Sequence, residues 1–388
     1  MNTLDLAGLG LDRGGHLLVA RALSRLAPGE ALQIIGSAPA LDVHLRAWCR
    51  SAGHGFRGGG VVVRGAVGAS SRWSGAESTG APDAVVDVAP ARWGLAARGA
   101  TVEAGGPEVH FNLTNASEVW TEEAGRIYAQ AVAAQWDPNT AIPWEAAFEL
   151  PDAIEDALVQ VLTYLIENET AALVISARFA SQVHPHFREV MQLLAINAAD
   201  EARHVEVFTR RALLRRKRLG LSTSGGQASL KTIVEEPDFQ LASFLLSVLG
   251  EGSFLSLLWF LHAHAPDPVT ETLMRLAAQD EARHVAFGIA HLERHAREDA
   301  ALLDRLANAV HRRHDALAHT AGLNQEVFDA LVLLAAGAWT PDAIANGWDA
   351  VLGLVAEMDE GRQRRLRRIG YDAERAAELS SLHTRNFM

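Results

Sequence analysis

The chain has 388 residues, with 47 acidic against 35 basic side chains, a net charge of −12 and a pI of about 5.7. This balance disfavours broad electrostatic binding to nucleic acid or to an anionic membrane surface. Apolar residues make up 49 % of the chain and charged residues 21 %, which excludes a disordered chain and allows a sizeable core. Cys49 is the single cysteine, so an intrachain disulfide and a cysteine-based zinc or iron–sulfur site are excluded.

The first 57 residues predict a small α/β domain. Its expected elements are a helix over 17–26, a turn at Pro28 and Gly29, a short strand over 32–35 and a second helix over 41–52. Residues 58–117 begin rich in Gly, Ser and Ala and indicate a linker, with short strands expected near 84–88 and 109–113. The N-terminus shows no secretory signal pattern, so we expect a cytoplasmic protein.

Residues 118–388 have a helical pattern. The predicted helices cover 119–135, 152–180, 185–217, 238–263, 267–297, 299–318, 325–336, 341–358 and 373–382. Prolines fall between these segments or in their first turns, where proline is tolerated. The fold class is therefore mainly α: a four-helix bundle with extra C-terminal helices, preceded by the α/β domain. The basic run between Arg210 and Arg218 is typical of a solvated helix end.

The segment 241–261 is almost entirely apolar and long enough to span a bilayer. Its centre carries Glu251, no cluster of Lys or Arg flanks it, and a carboxylate at mid-membrane is costly. A buried bundle helix with a functional glutamate explains the segment better. We therefore expect no membrane association.

The strongest signal is an internal duplication. Residues 200–205 and 280–285 both read Asp-Glu-Ala-Arg-His-Val, 80 positions apart. Each copy lies in a helical segment and contains Glu-x-x-His, and residues at i and i+3 share a helix face. One such pair alone would indicate a surface salt bridge. Two identical copies instead predict that each Glu-x-x-His points at a metal ion.

Each motif has a candidate partner carboxylate on the preceding helix. Glu251 is the single acidic residue of the apolar run before the second copy. Before the first copy, Glu169 continues the apolar stripe of Leu162 and Leu165, whereas Glu167 lies on a more polar face. The predicted metal-binding and catalytic residues are therefore Glu169, Glu201, His204, Glu251, Glu281 and His284.

Charge explains why such a cluster needs metal. Four carboxylates in a bundle core would repel one another and lose their hydration, and two divalent cations remove both costs. Two histidines with oxygen donors suit iron or manganese better than zinc. Asp200 and Asp280 are candidates to accept a hydrogen bond from the ligand histidine on the opposite helix. Arg203 and Arg283 are candidates to balance the remaining negative charge.

This combination resembles the ferritin-like di-iron carboxylate family over about residues 118–297. The resemblance implies two iron ions, with manganese as the alternative metal. It also implies that Glu201 and Glu281 bridge the ions, with Glu169 and Glu251 as terminal ligands.

The Asp-Glu-Ala-Arg-His form is similar to the oxygen-activating branch of that family, and residues 135–144 are similar to its lead-in segment. The implied enzyme is a non-haem di-iron oxidoreductase that uses O2 on a small organic or carrier-bound substrate, by hydroxylation, N-oxygenation or desaturation. A reductase or ferredoxin would supply electrons, since no dinucleotide fingerprint is present. A homodimer is compatible with the apolar content.

Three alternative functions stay open at this stage. One is a ferroxidase or metal-handling protein, for which iron is the substrate. The second is a manganese catalase-like enzyme, for which the same ligands serve. The third is a non-catalytic binding module stabilised by structural metals. A substrate-sized apolar cavity beside the metals would favour the oxygenase.

Residues 4–57 are similar to the TusA-like sulfur-carrier fold. The similar segments are 4–5, 8–9, 22–30, 32–35 and 48–54. The family's Cys-Pro-x-Pro motif would begin near Gly10, where this chain reads Gly-Leu-Asp-Arg, so the sulfur-carrying cysteine is absent. We expect Cys49 to be a packed residue and the unit to be a degenerate docking or structural domain.

Overall fold

The computed structural model describes residues 2–66, 73, 75–318 and 325–382, and the chain divides into two compact units, Met1–His110 and Phe111–Met388. The first unit starts with a β-α-β-α-β-β arrangement. Its elements are β1 (Asn2–Asp5), α1 (Gly15–Ser24), β2 (Ala31–Ile35), α2 (Leu41–Ala52), β3 (Gly55–Gly58) and β4 (Val61–Val63). The strand order is β1-β2-β4-β3, with β1 parallel to β2 and the other two pairings antiparallel.

The core of this sheet follows the alternation of its strands. Leu32 and Ile34 of β2 point to one face and are buried, as is Val62 of β4. Helices α1 and α2 contribute Leu23 and Leu45 to the same cluster. Alternate strand residues pack under amphipathic helices, as expected for a small two-layer α/β domain.

The glycine run after residue 57 belongs to this sheet and does not begin a linker. Gly58, Gly59 and Gly60 connect β3 to β4 with φ angles of 88°, 56° and 73°. Only glycine enters this left-handed region without a steric penalty, so the run reflects a hairpin turn. The predicted domain boundary at residue 57 was therefore too early.

The strands expected at 84–88 and 109–113 are not formed. The short pair in this region is β5 (Glu77–Ser78) with β6 (Thr101–Val102), and Leu113 makes an isolated bridge to Val183. Residues 67–72 and 74 of the expected linker lie outside the described residues.

The second unit is helical. Its helices are α3 (Ala116–Val119), α4 (Ala124–Ala133), α5 (Asp152–Ala180), α6 (Arg188–Ala212), α7 (Ser224–Val234), α8 (Phe239–Ser243), a π-helix (Phe244–Glu251), α9 (Gly252–Ala263), α10 (Pro268–Glu298), α11 (Ala301–Leu317), α12 (Gln325–Ala336), α13 (Pro341–Ile369) and α14 (Ala373–Ser381). Helices α5, α6 and α10 and the continuous segment from α8 to α9 form a ferritin-like four-helix bundle.

Most helix ends agree with the sequence prediction because the capping signals are local. Asp267 accepts a hydrogen bond from the backbone N–H of Thr270, and Pro268 occupies the first turn of α10. Two differences stand out. Helix α7 was not predicted, because its glycines resemble a loop, and α13 continues to Ile369 because Leu366 and Ile369 are buried.

The basic run after α6 is not uniformly solvated. Arg211 is fully buried, and its guanidinium pairs with Glu155 at 2.7 Å and with Asp267 at 2.8 Å. Arg216 makes the exposed contacts that the sequence predicted for the whole run. The spacing of Arg211 on α6 turns it toward α5 and α10, which sequence composition alone does not reveal.

Within the described parts of the chain, two helical segments are long and apolar enough to cross a membrane by length and composition. They are Asp152–Ala180 and the segment Phe239–Ala263, and the bent pair α12 and α13 would count as a third if taken as one span. In the fold, 67 % and 78 % of the most apolar windows of the first two are buried inside the protein.

Candidate metal centre

The bundle brings all six predicted ligand residues to one buried point. Glu169 comes from α5, Glu201 and His204 from α6, and Glu281 and His284 from α10. Glu251 is the last residue of the π-helix. Each is at most 7 % exposed, whereas Glu167 is half-buried and outside the cluster. The periodicity argument for Glu169 over Glu167 agrees with this placement.

The ligand atoms fall into two overlapping sets of four, and within each set all atoms lie within 4.8 Å of one another. One set consists of Glu169, Glu201, His204 and Glu281, and the other of Glu201, Glu251, Glu281 and His284. Two metal ions could therefore be held side by side.

Glu201 and Glu281 are placed to bridge the two positions. One oxygen of Glu201 lies 3.5 Å from Nδ1 of His204, and the other lies 3.0 Å from Nδ1 of His284. Glu281 repeats this pattern, with its oxygens 3.3 Å from Nδ1 of His204 and 3.4 Å from Nδ1 of His284. Glu169 is 3.4 Å from His204 and belongs to one set only, as Glu251 does on the other side.

The polar atoms at the centre fit a metal site because they are buried and have no hydrogen-bond partner within the protein. A buried carboxylate oxygen without a hydrogen bond is costly and rare. Here six carboxylate oxygens and one ring nitrogen converge without a well-formed hydrogen bond: Oε1 of Glu169, both oxygens of Glu201, Oε2 of Glu251, both oxygens of Glu281 and Nδ1 of His284. Six oxygens and a ring nitrogen are donors that iron and manganese accept.

The carboxyl and imidazole groups of this cluster lie close together in the core, and their proximity shifts their pKa values. Burial raises the pKa of the Glu169 and Glu251 carboxyls well above their ordinary value, and nearby carboxylates raise it further. Burial opposes protonation of His204 and His284, but the surrounding carboxylates outweigh it and raise the pKa of both rings. Burial also opposes ionisation of Glu201, yet the adjoining Glu169 carboxyl and His284 ring hold its pKa low. Protons therefore occupy this site when cations do not.

The two histidines are held by aspartates from the opposite motif, as predicted. Nε2 of His204 lies 3.1 Å from Oδ2 of Asp280, and Nε2 of His284 lies 3.4 Å from Oδ2 of Asp200. An aspartate at Nε2 fixes a proton there, which leaves the Nδ1 lone pair for the centre.

Arg203 links the two aspartates. Its guanidinium donates to Asp200 at 2.5 Å and to Asp280 at 2.9 Å, and Arg283 pairs with Asp280. Burial would raise the pKa of Asp280, but the hydrogen bonds and charges of His204 and Arg203 hold it below its ordinary value. The predicted charge balance is therefore present in the fold.

Two residues of the segment before α5 also contact the aspartates, and the sequence analysis did not predict these contacts. Gln135 donates to Asp200 at 2.8 Å, and the indole N–H of Trp136 donates to Asp280 at 2.8 Å. The Trp136 ring stacks on His204, with 6.5 Å between ring centroids, and the Arg203 guanidinium lies over the Trp136 ring, 4.5 Å from its centroid. The pairing of Gln and Trp in the lead-in segment was a signal, but its partners lie 65 and 144 residues away.

A small cavity of about 20 Å³ opens beside the carboxylates. Glu169, Glu251, Glu281 and Asn168 form its polar lining, and Ala172, Leu246 and Phe254 form its apolar lining. This volume is close to that of one water molecule. The substrate-sized apolar cavity that would favour an organic substrate is not found at this point.

No protein-family model and no curated relative matches the chain. Among solved structures, an R2-like ligand-binding oxidase from Sulfolobus acidocaldarius aligns with 16 % identity and a TM-score of 0.42, over 64 % of this chain and 94 % of that one. A variant R2-like ligand-binding oxidase with an Fe/Fe cofactor aligns with 18 % identity and a TM-score of 0.49, over 65 % of this chain and 94 % of that one. A variant of that oxidase with a Mn/Fe cofactor aligns with 17 % identity and a TM-score of 0.48, over 65 % of this chain and 94 % of that one.

Proposed function

We propose that the protein is an oxygen-activating di-metal oxidoreductase with iron, or iron with manganese, at the two positions. The observation that carries this proposal is the sharing of Glu201 and Glu281 between two four-residue ligand sets. Such a paired site supplies electrons to dioxygen when two ferrous ions are bound.

The residues of the chain would hold the ions and exclude water. Glu201 and Glu281 would be shared between the two ions, while Glu169 and Glu251 would each hold one of them. The apolar side chains of Leu246 and Phe254 line the cavity beside these carboxylates. An apolar lining lowers the local dielectric constant and so strengthens electrostatic interactions at the site.

Oxidation of an organic molecule by hydroxylation, N-oxygenation or desaturation is the finer form of this proposal. The cavity accommodates a molecule the size of O2 or water, so a larger substrate requires Phe254 or Leu246 to rotate. An external reductase or ferredoxin would then return electrons, and a cytoplasmic location and a homodimer remain part of the proposal.

A ferroxidase is the second candidate, and two observations favour it. The cavity beside the carboxylates is too small for most organic substrates. An acidic pocket also lies at the end of α10, which is the polar surface expected when iron itself is the substrate. Turnover separates the two functions, because a ferroxidase oxidises many Fe(II) ions per chain without an added organic substrate.

For the N-terminal unit we propose a degenerate TusA-like domain with a docking or structural role. Its β-α-β-α-β-β order supports this proposal. Cys49 is 1 % exposed, and burial raises the pKa of its thiol to about 11, so it does not supply a reactive thiolate.

The test is elemental analysis of protein expressed with iron, followed by stopped-flow absorbance after mixing the Fe(II) form with O2. We expect about two irons per chain and a transient visible band. Glu201→Ala should lose both the metal and the band, and His284→Ala should lose the band and retain about one iron. The matched control is Glu167→Ala, which lies on the same helix as Glu169 but outside the ligand sets, and should retain both. Protein that binds no metal would contradict the proposal.

A further inference from the structure

The core face of α10 stays polar beyond the proposed metal ligands. His284, Gly288, His291 and His295 follow one another at intervals of four, three and four residues, which places them on one face of the helix. His291 and His295 are 0 % and 2 % exposed. The helical rise puts His295 roughly 16 Å from His284.

The facing helix carries a matching polar row. A Cβ added to Gly288 would lie 2.6 Å from Cβ of Ser247 and 3.7 Å from the hydroxyl of Ser243. Ser247 in turn lies one helical turn before Glu251, beside its carboxylate. The two serines interrupt an otherwise apolar segment. Ser247 and Ser243 therefore extend the polar side from Glu251 along α10 toward His291, whose ring also packs against Phe239 and Phe287.

The row ends in a pocket of about 560 Å³, here called the uptake pocket. Its charged and titratable lining consists of Glu118, Asp238, His295, Glu298, Asp299 and Arg305. Arg305 is already engaged, since it donates to Gln240 at 2.7 Å and lies 3.6 Å from Asp238. The C-terminal end of α10 adds partial negative charge. Arg294 adds a second guanidinium beside the pocket, 3.3 Å from Glu298, and four carboxylates against these two guanidinium groups favour a cationic ligand.

His295 is the buried polar group of this pocket. Neither ring nitrogen makes a well-formed hydrogen bond, although the Trp120 backbone lies beside the ring, and Nδ1 lies 3.9 Å from the Glu298 carboxylate. The neighbouring His291 ring is 4.6 Å away between centroids, and its Nε2 donates to the carbonyl of Glu118, which leaves Nδ1 as a free acceptor. Unsatisfied buried nitrogens carry a cost that a ligand would remove.

Both imidazoles are neutral at physiological pH. Burial lowers the pKa of His295 to about 4, with the nearby Arg294 charge adding to the effect, and burial and the adjacent His295 ring lower the pKa of His291 to about 3. A neutral imidazole is the form that binds transition metals. It is a poor carrier of protons at pH 7, because its charged form is strongly disfavoured here.

We propose that the uptake pocket binds the divalent ions that fill the core, with His295 as their first protein ligand. This inference rests on the proposed metal centre. The pocket has room for an ion with six waters, which occupy roughly 180 Å³ at the volume of liquid water. His291 and the two serines then give the ion successive donors on its way to Glu251.

The test follows Mn(II) uptake by full-length, metal-free protein, using the electron paramagnetic resonance signal of the free ion after rapid mixing. We expect His295→Leu and His291→Leu to slow uptake at least 10-fold, with the final amount of two ions per chain unchanged. His264→Leu, at the end of α9 and outside the pocket, is the matched control and should load at the wild-type rate.

A second variant guards against misfolding of the buried histidine variants. Glu298→Gln combined with Asp299→Asn changes two exposed rim groups, and the new amide oxygens can still accept from Arg294 and from the backbone N–H of Ala301. It should slow uptake several-fold and reduce its dependence on salt. The control pair is Glu326→Gln with Asp349→Asn on α12 and α13, which should have no effect. Wild-type uptake rates in both the histidine and the rim variants would overturn the inference.

These outcomes are separate from those of the proposed function. A core that fills with two ions through His295 but does not react with O2 would contradict the oxidoreductase and support the uptake pocket. A core that reacts with O2 but fills at the same rate without His295 would support the oxidoreductase and contradict the uptake pocket.

Discussion

His204 on α6 and Asp280 on α10 are joined across the bundle, with 3.1 Å between Nε2 and Oδ2. His284 and Asp200 form the reciprocal pair. Each copy of the repeated motif therefore supplies the aspartate that orients the histidine of the other copy. The metal centre is complete only when α6 and α10 pack together.

The first prediction concerns this reciprocal pairing. Asp280→Asn removes the charge that holds the proton on Nε2 of His204, so metal affinity should fall roughly 10- to 100-fold. Asp200→Asn should act in the same way through His284. Competition with a chelator measures both affinities. Asp304→Asn, on the exposed side of α11, is the control, and equal affinities in all three variants would contradict the assigned role.

The second prediction separates bridging from terminal ligands. Glu201→Ala removes a group shared by both sets, so neither ion should be retained after desalting. Glu169→Ala removes a group of one set only, so about one ion per chain should remain. Elemental analysis gives the stoichiometry. Equal losses in the two variants would show that the carboxylates do not have the roles that their distances indicate.

The third prediction is a pH dependence. The raised pKa values of Glu169 and Glu251 mean that ionising them above their unfolded value of 4.5 costs stability. The raised pKa values of His204 and His284 give stability below the unfolded value of 6.5, which is lost as the pH rises through the folded value. Both effects have the same sign, so metal-free protein should become less stable from pH 5.5 to 8.

Metal binding reverses this dependence, because the ions displace the same protons and bind more tightly at high pH. The gap in melting temperature between loaded and metal-free protein should therefore widen over that range. Differential scanning fluorimetry measures both forms. A gap that stays constant with pH would mean that these groups do not titrate with metal binding.

The fourth prediction tests the packing of the polar row. Gly288→Ala places a methyl group 2.6 Å from Cβ of Ser247, which must shift and disturb Glu251. We expect a loss of about 1–3 kcal/mol in the free energy of unfolding and weaker metal binding. Gly353→Ala on α13 meets nothing within 4 Å and should stabilise the protein by about 0.5–1 kcal/mol. Urea unfolding compares the two variants.

The fifth prediction concerns the buried charge cluster. Arg211→Met leaves Glu155 and Asp267 buried without their partner, which should cost about 3–5 kcal/mol of stability. Arg216→Met breaks exposed pairs with Asp152 and Asp156 and should give no measurable change. Chemical denaturation checks both, and similar midpoints would show that burial does not set the difference.

The sequence by itself determined most helices of the second unit and the six candidate ligands. Helical periodicity and caps are local, so the spacing of Glu201 and His204, repeated at Glu281 and His284, places each pair on one face without knowledge of the fold. The stripe through Leu162 and Leu165 likewise selected Glu169. Two glycine-rich segments were predicted wrongly, because glycine occurs in linkers, in tight turns and in helices. They are the β3–β4 hairpin and helix α7.

The tertiary structure alone decided which atoms meet. The hydrogen bond from the Trp136 indole to Asp280 joins residues 144 positions apart, and no local sequence pattern predicts it. Burial of Arg211 depends on acids from two other helices. The size of the cavity beside Glu169 depends on how Phe254 packs. Such contacts arise from the packing of distant helices, and sequence spacing constrains only residues within one helix.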